Sequence, residues 1–192
     1  MQPRLIAFLL LMLGIIGCGS SSSVRRSDVS LATIVMPVRG IMPYQLQSNF
    51  GVARDGGSRS HHGLDIMAPE GREVLAITSG KIDSKKWNNL GGNTLWLAGD
   101  DGMIYYYAHL HSYREGIDDG ARVRAGEVLG YVGKTGNAST PHLHFEVHQT
   151  KKSPAIDPFT LLAVDNILVL PMPIDSMRQQ IVTTPKPTKR KK

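Results

Sequence analysis

The chain has 192 residues, of which 41% are hydrophobic, and this is enough for one folded domain with a sizeable core plus tails. Its formal net charge of +6 comes from the two ends, because Arg4 lies near the start and five basic residues lie between Lys186 and Lys192. The remaining chain has a net charge near zero, which argues against a nucleic-acid-binding protein, since such a protein needs a basic face on its folded domain.

The first 17 residues have the organisation of a secretory signal peptide. A basic residue is followed by an apolar run over residues 5–16, which is too short for a helix that spans a membrane. The run leads through Ile15 and Gly17 into Cys18, and this pattern resembles the bacterial lipobox, in which the cysteine is lipidated and becomes the mature N-terminus. An ordinary cleaved signal peptide with a chance cysteine is the alternative.

Cys18 is the only cysteine, so the chain can form neither an internal disulfide nor a cysteine zinc site. We predict lipidation at Cys18 and a flexible tether over residues 18–35, which would anchor the protein to a membrane of the cell envelope. By analogy with other lipoproteins, the absence of aspartate after the cysteine favours the outer membrane, facing the periplasm, if the cell is Gram-negative. Residues 166–192 form a C-terminal segment with a basic tail that we predict to be disordered. The tail either contacts anionic lipid or wall polymer or only aids solubility.

Between these ends, 20 glycines and 11 prolines favour a turn-rich β fold. Apolar and β-branched runs separated by turn residues predict strands at 74–77, 81–82, 94–97, 103–107, 141–147 and, as a pair, within 123–133. We predict a β-hairpin from Thr94 to Ala108, with His109 at the end of its second strand. A short helical turn is predicted at Leu161–Ala163, and an edge strand at Ile167–Leu170.

A histidine and a carboxylate lie four residues apart in His61-His62-Gly63-Leu64-Asp65. Because Gly63 and the nearby Ala68-Pro69 oppose a helix, we place this motif on a strand or loop, where the glycine lets the backbone bend so that both side chains converge. A histidine plus a carboxylate is half of a hydrolytic zinc site. The alternative is a loop histidine and a capping aspartate.

A second pair of histidines lies in the strand predicted to begin at Pro141. Residues two apart in a strand point to the same face, so His142 and His144 project together while Leu143 and Phe145 face a core. Two imidazoles on one face suit a site in which one binds a metal and the other transfers protons. The alternative is a pair of surface histidines.

Together these segments resemble the lysostaphin-type, or LytM-type, murein zinc metallopeptidases. The resemblance covers roughly residues 36–162 and is carried by four segments in order: His61-His62-Gly63-Leu64-Asp65, Tyr107-Ala108-His109-Leu110, Gly130-Tyr131-Val132-Gly133-Lys134-Thr135-Gly136 and Pro141-His142-Leu143-His144-Phe145-Glu146. It implies a single all-β domain over residues 36–165, with a mainly antiparallel sheet of the lysostaphin-like peptidase (duplicated hybrid motif) type.

By position, the resemblance implies that one Zn²⁺ is held by His61, Asp65 and His144. It further implies that His109 and His142 are catalytic groups that do not bind the metal. His62 occupies a variable position and is not expected to be a ligand, and His111 and His148, which lack a motif, are expected on the surface. Asn49 lies near the position where some relatives have a residue that blocks the metal. The sequence Ala138-Ser139-Thr140-Pro141 departs from relatives that have a glycine beside this proline, which changes the rim of the cleft.

The resemblance implies a zinc-dependent endopeptidase that acts on peptidoglycan. Three zinc ligands leave a position for water, and His109 and His142 would stabilise the oxyanion and transfer protons. The first alternative is a regulator that does not cut and instead activates a murein amidase, although such relatives typically lack several of these groups. The second is a zinc-dependent scaffold. The predicted partners are the peptidoglycan peptide, the membrane and a regulatory protein that opens the cleft.

Overall fold

Short runs of alternating residues between glycine turns form ten strands in the described part of the chain. The structure is a computed structural model that describes residues 34–173, so the predicted signal peptide, Cys18, most of the tether and the basic tail lie outside the described residues. The strands are β1 (Ala53–Arg54), β2 (Arg59–Ser60), β3 (Leu64–Met67), β4 (Glu73–Leu75), β5 (Gly80–Asn88), β6 (Gly92–Gly99), β7 (Ile104–Tyr113), β8 (Arg122–Val123), β9 (Val128–Val132) and β10 (His142–His148).

Eight of these strands form one sheet, in which six lie in the order β3-β10-β7-β6-β5-β8 and β9 joins β4 to β7. Every strand pair in the sheet is antiparallel, and β1 and β2 form a separate antiparallel pair. The only α-helix within residues 34–173 is α1 (Phe159–Leu162), beside 3-10 turns at Pro43–Gln45 and Asp55–Gly57. The predicted all-β, mainly antiparallel fold is confirmed. Among these helices none is long and apolar enough to span a membrane.

The two-residue period of β10 separates the core from the site. Leu143 and Phe145 are fully buried in the hydrophobic core, whereas His142, His144 and Glu146 lie on the opposite face. On β7, Tyr105 and Tyr107 likewise point into the core, where the ring of Phe145 packs against both. The core thus holds β10 rigidly between β3 and β7, and this fixes the outward-facing side chains.

The predicted hairpin is formed by β6 and β7, but His109 does not end its second strand. β7 continues to Tyr113, and His109 lies in an irregularity where two residues of β7, Ala108 and His109, oppose the single residue Thr94 of β6. Such a bulge locally re-aims a side chain and is frequent beside active sites. His109 has a positive φ of 63°. β7 does not end at this residue, because β9 pairs with β7 from Leu110 onward.

The packed part of the chain extends slightly beyond the predicted limits of 36 and 165. Val35 is fully buried and Ile167 belongs to the hydrophobic core. The predicted edge strand at Ile167–Leu170 is wrong, because only Leu168 forms an isolated parallel bridge, to Val35. The two ends of the described segment therefore pack together along one margin of the domain.

Candidate metal centre and active site

Three predicted ligands meet where β3 lies beside β10. Asp65 of β3 is directly paired with His144 of β10, and His61 enters from the segment before β3. Nε2 of His61 lies 2.9 Å from Asp65 Oδ1 and 2.9 Å from His144 Nδ1, and the latter two atoms are 3.0 Å apart. The structure therefore brings together three ligand atoms from positions up to 83 residues apart.

The hydrogen bonds behind these atoms leave only acceptors inside the triangle. Nδ1 of His61 donates to the carbonyl oxygen of Asn49, 2.8 Å away, so its Nε2 carries a lone pair. Nε2 of His144 donates to Glu146 Oε1, 2.8 Å away, so its Nδ1 also carries a lone pair. With the Asp65 carboxylate, three acceptors converge, and an arrangement of this kind calls for a cation between them.

The triangle fits zinc in particular. Ligand nitrogens and oxygens about 2.0–2.2 Å from a tetrahedral zinc are about 3.3 Å apart, so the three atoms need to separate by only about 0.3 Å. Two imidazoles and one carboxylate also form a ligand set typical of hydrolytic zinc sites. Within residues 34–173, these three residues form the group of side chains that could hold a metal ion. His62 is exposed and outside the group, as expected for the variable position.

Gly63 permits the close approach of β3 and β10. A Cβ atom at this position would lie 2.5 Å from the carbonyl oxygen of Phe145 and 2.8 Å from Cε1 of His144. These separations are about 1 Å less than an ordinary contact. Glycine is therefore required here by space rather than by an unusual backbone conformation, and the ring of His144 packs directly against the backbone of the His-x-Gly-x-Asp motif.

Asn49 supports the ligands and does not occupy the metal position. Its side-chain Oδ1 accepts a hydrogen bond from the backbone nitrogen of Asp65, 3.1 Å away, while its backbone carbonyl accepts one from His61. Asn49 lies near the position at which some relatives block the metal, but in this structure the amide oxygen that would act as a ligand is directed to the backbone. No feature of the sequence indicates which atoms Asn49 binds.

The charge of Asp65 is stabilised from several sides. Arg54 donates from Nη2 to Asp65 Oδ2 at 2.6 Å, which leaves Oδ1 directed at the metal position. Burial raises the pKa of Asp65, but its contacts with His144 and His61 and the attraction of His61 and His142 outweigh burial and hold the pKa far below its usual range. Asp65 is thus an anionic ligand at neutral pH. The sequence pattern does not identify Arg54 as a site residue.

The two further histidines lie beside the triangle with Nδ1 of each ring bonded to the backbone. Nδ1 of His109 donates to the carbonyl oxygen of Thr135, and Nδ1 of His142 donates to that of Thr140, each at 2.8 Å. The rings lie 4.7 Å apart, and Nε2 of His142 is 3.6 Å from Oδ1 of Asp65. Burial lowers the pKa of His109 to about 4, against the effect of the Thr135 hydrogen bond, so this imidazole is neutral near pH 7.

Glu146 and His148 form a further part of the site that the sequence analysis does not identify. His148 is expected on the surface, but it is buried, and its Nε2 donates to Glu146 Oε2 at 2.7 Å. Burial raises the pKa of Glu146, but hydrogen bonds from His144 and His148 lower it to about 2. The position of Glu146, two residues after His144 on one strand face, is the available signal. His111, by contrast, is exposed as expected and pairs with Glu70.

An open cleft of about 350 Å³ lies above these groups. Its floor is formed by β7 and β10, and its rim includes Leu90, Arg54 and the loop of Asn137, Ala138 and Ser139 that departs from the family pattern. A cleft of this size matches a site for a short peptide segment. Five predicted site residues therefore line one cleft: His61, Asp65, His109, His142 and His144.

Comparison with known proteins shows which family this chain resembles. The family model described as Peptidase family M23 matches residues 59–158. Lysostaphin from Staphylococcus simulans is 38% identical over 127 residues, which are 64% of this chain and 24% of lysostaphin. The L-Ala--D-Glu endopeptidase of Bacillus subtilis (strain 168) is 34% identical over 130 residues, which are 64% of this chain and 39% of that enzyme. The chain thus spans less than half the length of either relative.

Solved structures show the same fold. The catalytic domain of the antimicrobial peptidase lysostaphin from Staphylococcus simulans matches with a TM-score of 0.55 and 34% identity, over 64% of this chain and 96% of that chain. A zinc-containing peptidase from Vibrio cholerae matches with a TM-score of 0.50 and 25% identity, over 64% of this chain and 40% of that chain. These likenesses confirm the predicted lysostaphin-like architecture.

Proposed function

The chain belongs to peptidase family M23, and from this premise we propose that it is a zinc-dependent endopeptidase that hydrolyses peptide bonds of peptidoglycan, in cross-links or stem peptides, during cell-wall remodelling. The observation that carries the proposal is the triangle of acceptor atoms from His61, Asp65 and His144, open to a cleft with two further histidines beside it. The similarity to an endopeptidase whose name specifies a D-residue supports a cell-wall peptide as the substrate, because such residues are typical of bacterial wall peptides.

One zinc ion would be held by His61 Nε2, Asp65 Oδ1 and His144 Nδ1. Zinc bound at such a site supplies Lewis-acid chemistry, polarising a carbonyl oxygen and making water a nucleophile near neutral pH. Asn49 and Glu146 hold the two imidazoles in the tautomers that this requires. Arg54 neutralises the outer oxygen of Asp65 and keeps the carboxylate oriented.

His109 and His142 transfer the proton and stabilise the developing negative charge. Because both Nδ1 atoms donate to backbone carbonyls, each neutral ring carries a lone pair on Nε2. One Nε2 accepts a proton as water attacks the carbonyl carbon of the scissile peptide bond, and this proton is later delivered to the leaving amine as the C–N bond breaks. The other ring stabilises the negative charge that develops on the carbonyl oxygen when its Nε2 carries a hydrogen, and because its Nδ1 already donates to the backbone, that ring is then a cation. The 4.7 Å between the rings lets both act on one peptide bond.

The test is release of peptide fragments by the purified full chain from purified peptidoglycan. We expect soluble fragments whose masses identify the cleaved bond, loss of release on zinc chelation and recovery when zinc is restored. His142→Ala should retain zinc and lower the rate at least about 100-fold. His111→Ala is the matched control, because it removes an exposed histidine that pairs with Glu70 and does not line the cleft. Bound zinc without release from any wall preparation would instead favour the regulator that activates an amidase.

We also propose that the protein is anchored to the cell envelope through a lipid at Cys18. The proposal is supported by the apolar run and the lipobox-like residues before this cysteine. Mass spectrometry of the mature N-terminus should find a diacylated or triacylated cysteine, and Cys18→Ser should move the protein from the membrane fraction to the soluble fraction or retain its signal peptide. An unmodified mature N-terminus downstream of residue 18 would contradict lipidation.

A further inference from the structure

We propose that Glu146 and His148 are positioning residues that fix the ring and tautomer of His144 for metal binding. The proposal rests on the metal site proposed above. Its basis is a continuous hydrogen-bonded chain on one face of β10. His144 Nε2 lies 2.8 Å from Glu146 Oε1, Glu146 Oε2 lies 2.7 Å from His148 Nε2, and His148 Nδ1 lies 3.0 Å from the carbonyl oxygen of Ser153.

The acceptors in this chain determine where the protons lie. A carboxylate only accepts hydrogen bonds, so the Nε2 of His144 that contacts Glu146 must carry a hydrogen. The neutral ring then has its lone pair on Nδ1, which is the atom that faces His61 and Asp65. Without Glu146 the ring could take the other tautomer, which places a hydrogen on Nδ1 and removes it as a ligand. Glu146 therefore selects the binding form of His144.

His148 in turn balances the charge of Glu146. Both of its ring nitrogens face acceptors, the Glu146 carboxylate and the Ser153 carbonyl, and a ring that donates to both of them is a cation. A buried carboxylate requires such a partner, since an unpaired charge away from water is costly. The ring of Trp96 lies 5.4 Å from that of His148 between centroids, and Nζ of Lys151 lies 5.5 Å from the Trp96 ring. This packing holds His148 in place.

The geometry allows few substitutes for these contacts. Glu146 uses one oxygen for each histidine, and its side chain is only 14% exposed, so few other donors can replace either partner. The charges of Glu146 and His148 cancel, so the net charge beside the metal position is set by Asp65 and Arg54. Outer partners of metal-binding histidines typically change metal affinity about 10–100-fold when they are replaced.

The experiment compares Glu146→Gln with Glu70→Gln in the full chain. Both substitutions remove a carboxylate that is bonded to a histidine, but Glu70 pairs with His111 on the surface, outside the site. Zinc affinity is measured by competition with a chelator, and ¹⁵N NMR of the zinc-free protein, at a pH high enough for the His144 ring to be neutral, reads the tautomer of His144. We expect the wild type to hold the Nε2–H form, Glu146→Gln to bind zinc about 10–100-fold more weakly with a mixed tautomer, and Glu70→Gln to match the wild type.

A second variant, His148→Gln, keeps Glu146 and removes its cation, and it decides the question if Glu146→Gln does not fold. We expect His148→Gln to lose zinc affinity, by a smaller factor than Glu146→Gln, because the Glu146 oxygen that contacts His144 remains. Wild-type zinc affinity in every variant that folds, with the Nε2–H tautomer kept, would overturn the positioning role. Absence of zinc binding by the wild type would instead overturn the proposed metal site, so the two failures are distinguishable.

Discussion

Gly63→Ala tests whether the metal centre depends on the close approach of β3 and β10. The new Cβ would lie 2.5 Å from the Phe145 carbonyl oxygen and 2.8 Å from His144 Cε1, so the strand or the ring must move by about 1 Å. Overpacking of this kind typically lowers the free energy of unfolding by about 1–3 kcal/mol. Because the displaced ring carries a metal ligand, we expect zinc affinity to fall about 10–100-fold and activity about 100-fold.

The matched control is Gly102→Ala, in the turn between β6 and β7. Gly102 has φ of 82°, and a Cβ atom added there would meet no atom of residues 34–173 within 4 Å, so alanine costs stability only through its backbone conformation. That cost is about 1–2 kcal/mol, similar to the cost expected at Gly63. Zinc affinity is measured by chelator competition and stability by urea unfolding of the zinc-free proteins. Equal zinc affinity of the two variants would refute the argument from close approach.

Two further predictions concern pH and metal removal. Burial lowers the pKa of His109 to about 4, from an ordinary value near 6.5, so the unfolded chain binds more protons between these pH values. The free energy of unfolding of the zinc-free protein, measured in urea titrations, should therefore fall as the pH is lowered from about 6.5 to about 4. His109→Asn should flatten this dependence on pH. An unchanged slope in the variant would contradict the burial of a neutral imidazole at His109. Removing zinc should lower the thermal midpoint by on the order of 10 °C when free zinc had been about 100 times its Kd. His61→Ala should show no such zinc-dependent shift, and a shift as large as that of the wild type would place the metal elsewhere.

Local sequence patterns are sufficient for the framework of the fold. The alternation of β10 predicts that His142 and His144 share one face while Leu143 and Phe145 enter the core, because a strand has a fixed period of two. The turn residues 99–102 likewise predict the β6–β7 hairpin, since glycine and aspartate favour the tight turn between strands. Features that depend on neighbouring residues along one chain segment can be predicted without a structure.

The sequence pattern fails where a residue depends on its neighbours across the sheet. It places His109 at a strand end, but the bulge against Thr94 and the new pairing with β9 carry β7 onward to Tyr113. His148 is expected on the surface, but the carboxylate of Glu146 draws it into a buried ion pair. Asn49 lies near a position that blocks the metal in some relatives, but its side-chain oxygen accepts a hydrogen bond from the backbone nitrogen of Asp65.

The sequence by itself thus determined the strands, the inward and outward faces and, through a family resemblance, the five residues now found around one cleft. Only the tertiary structure decided which nitrogen of each histidine faces the metal position, because tautomers follow from acceptors such as the carbonyl of Asn49 and the carboxylate of Glu146. It also decided the convergence of Asp65 with His144, 79 residues later, because strand register is set by pairing across the sheet and not by spacing along the chain.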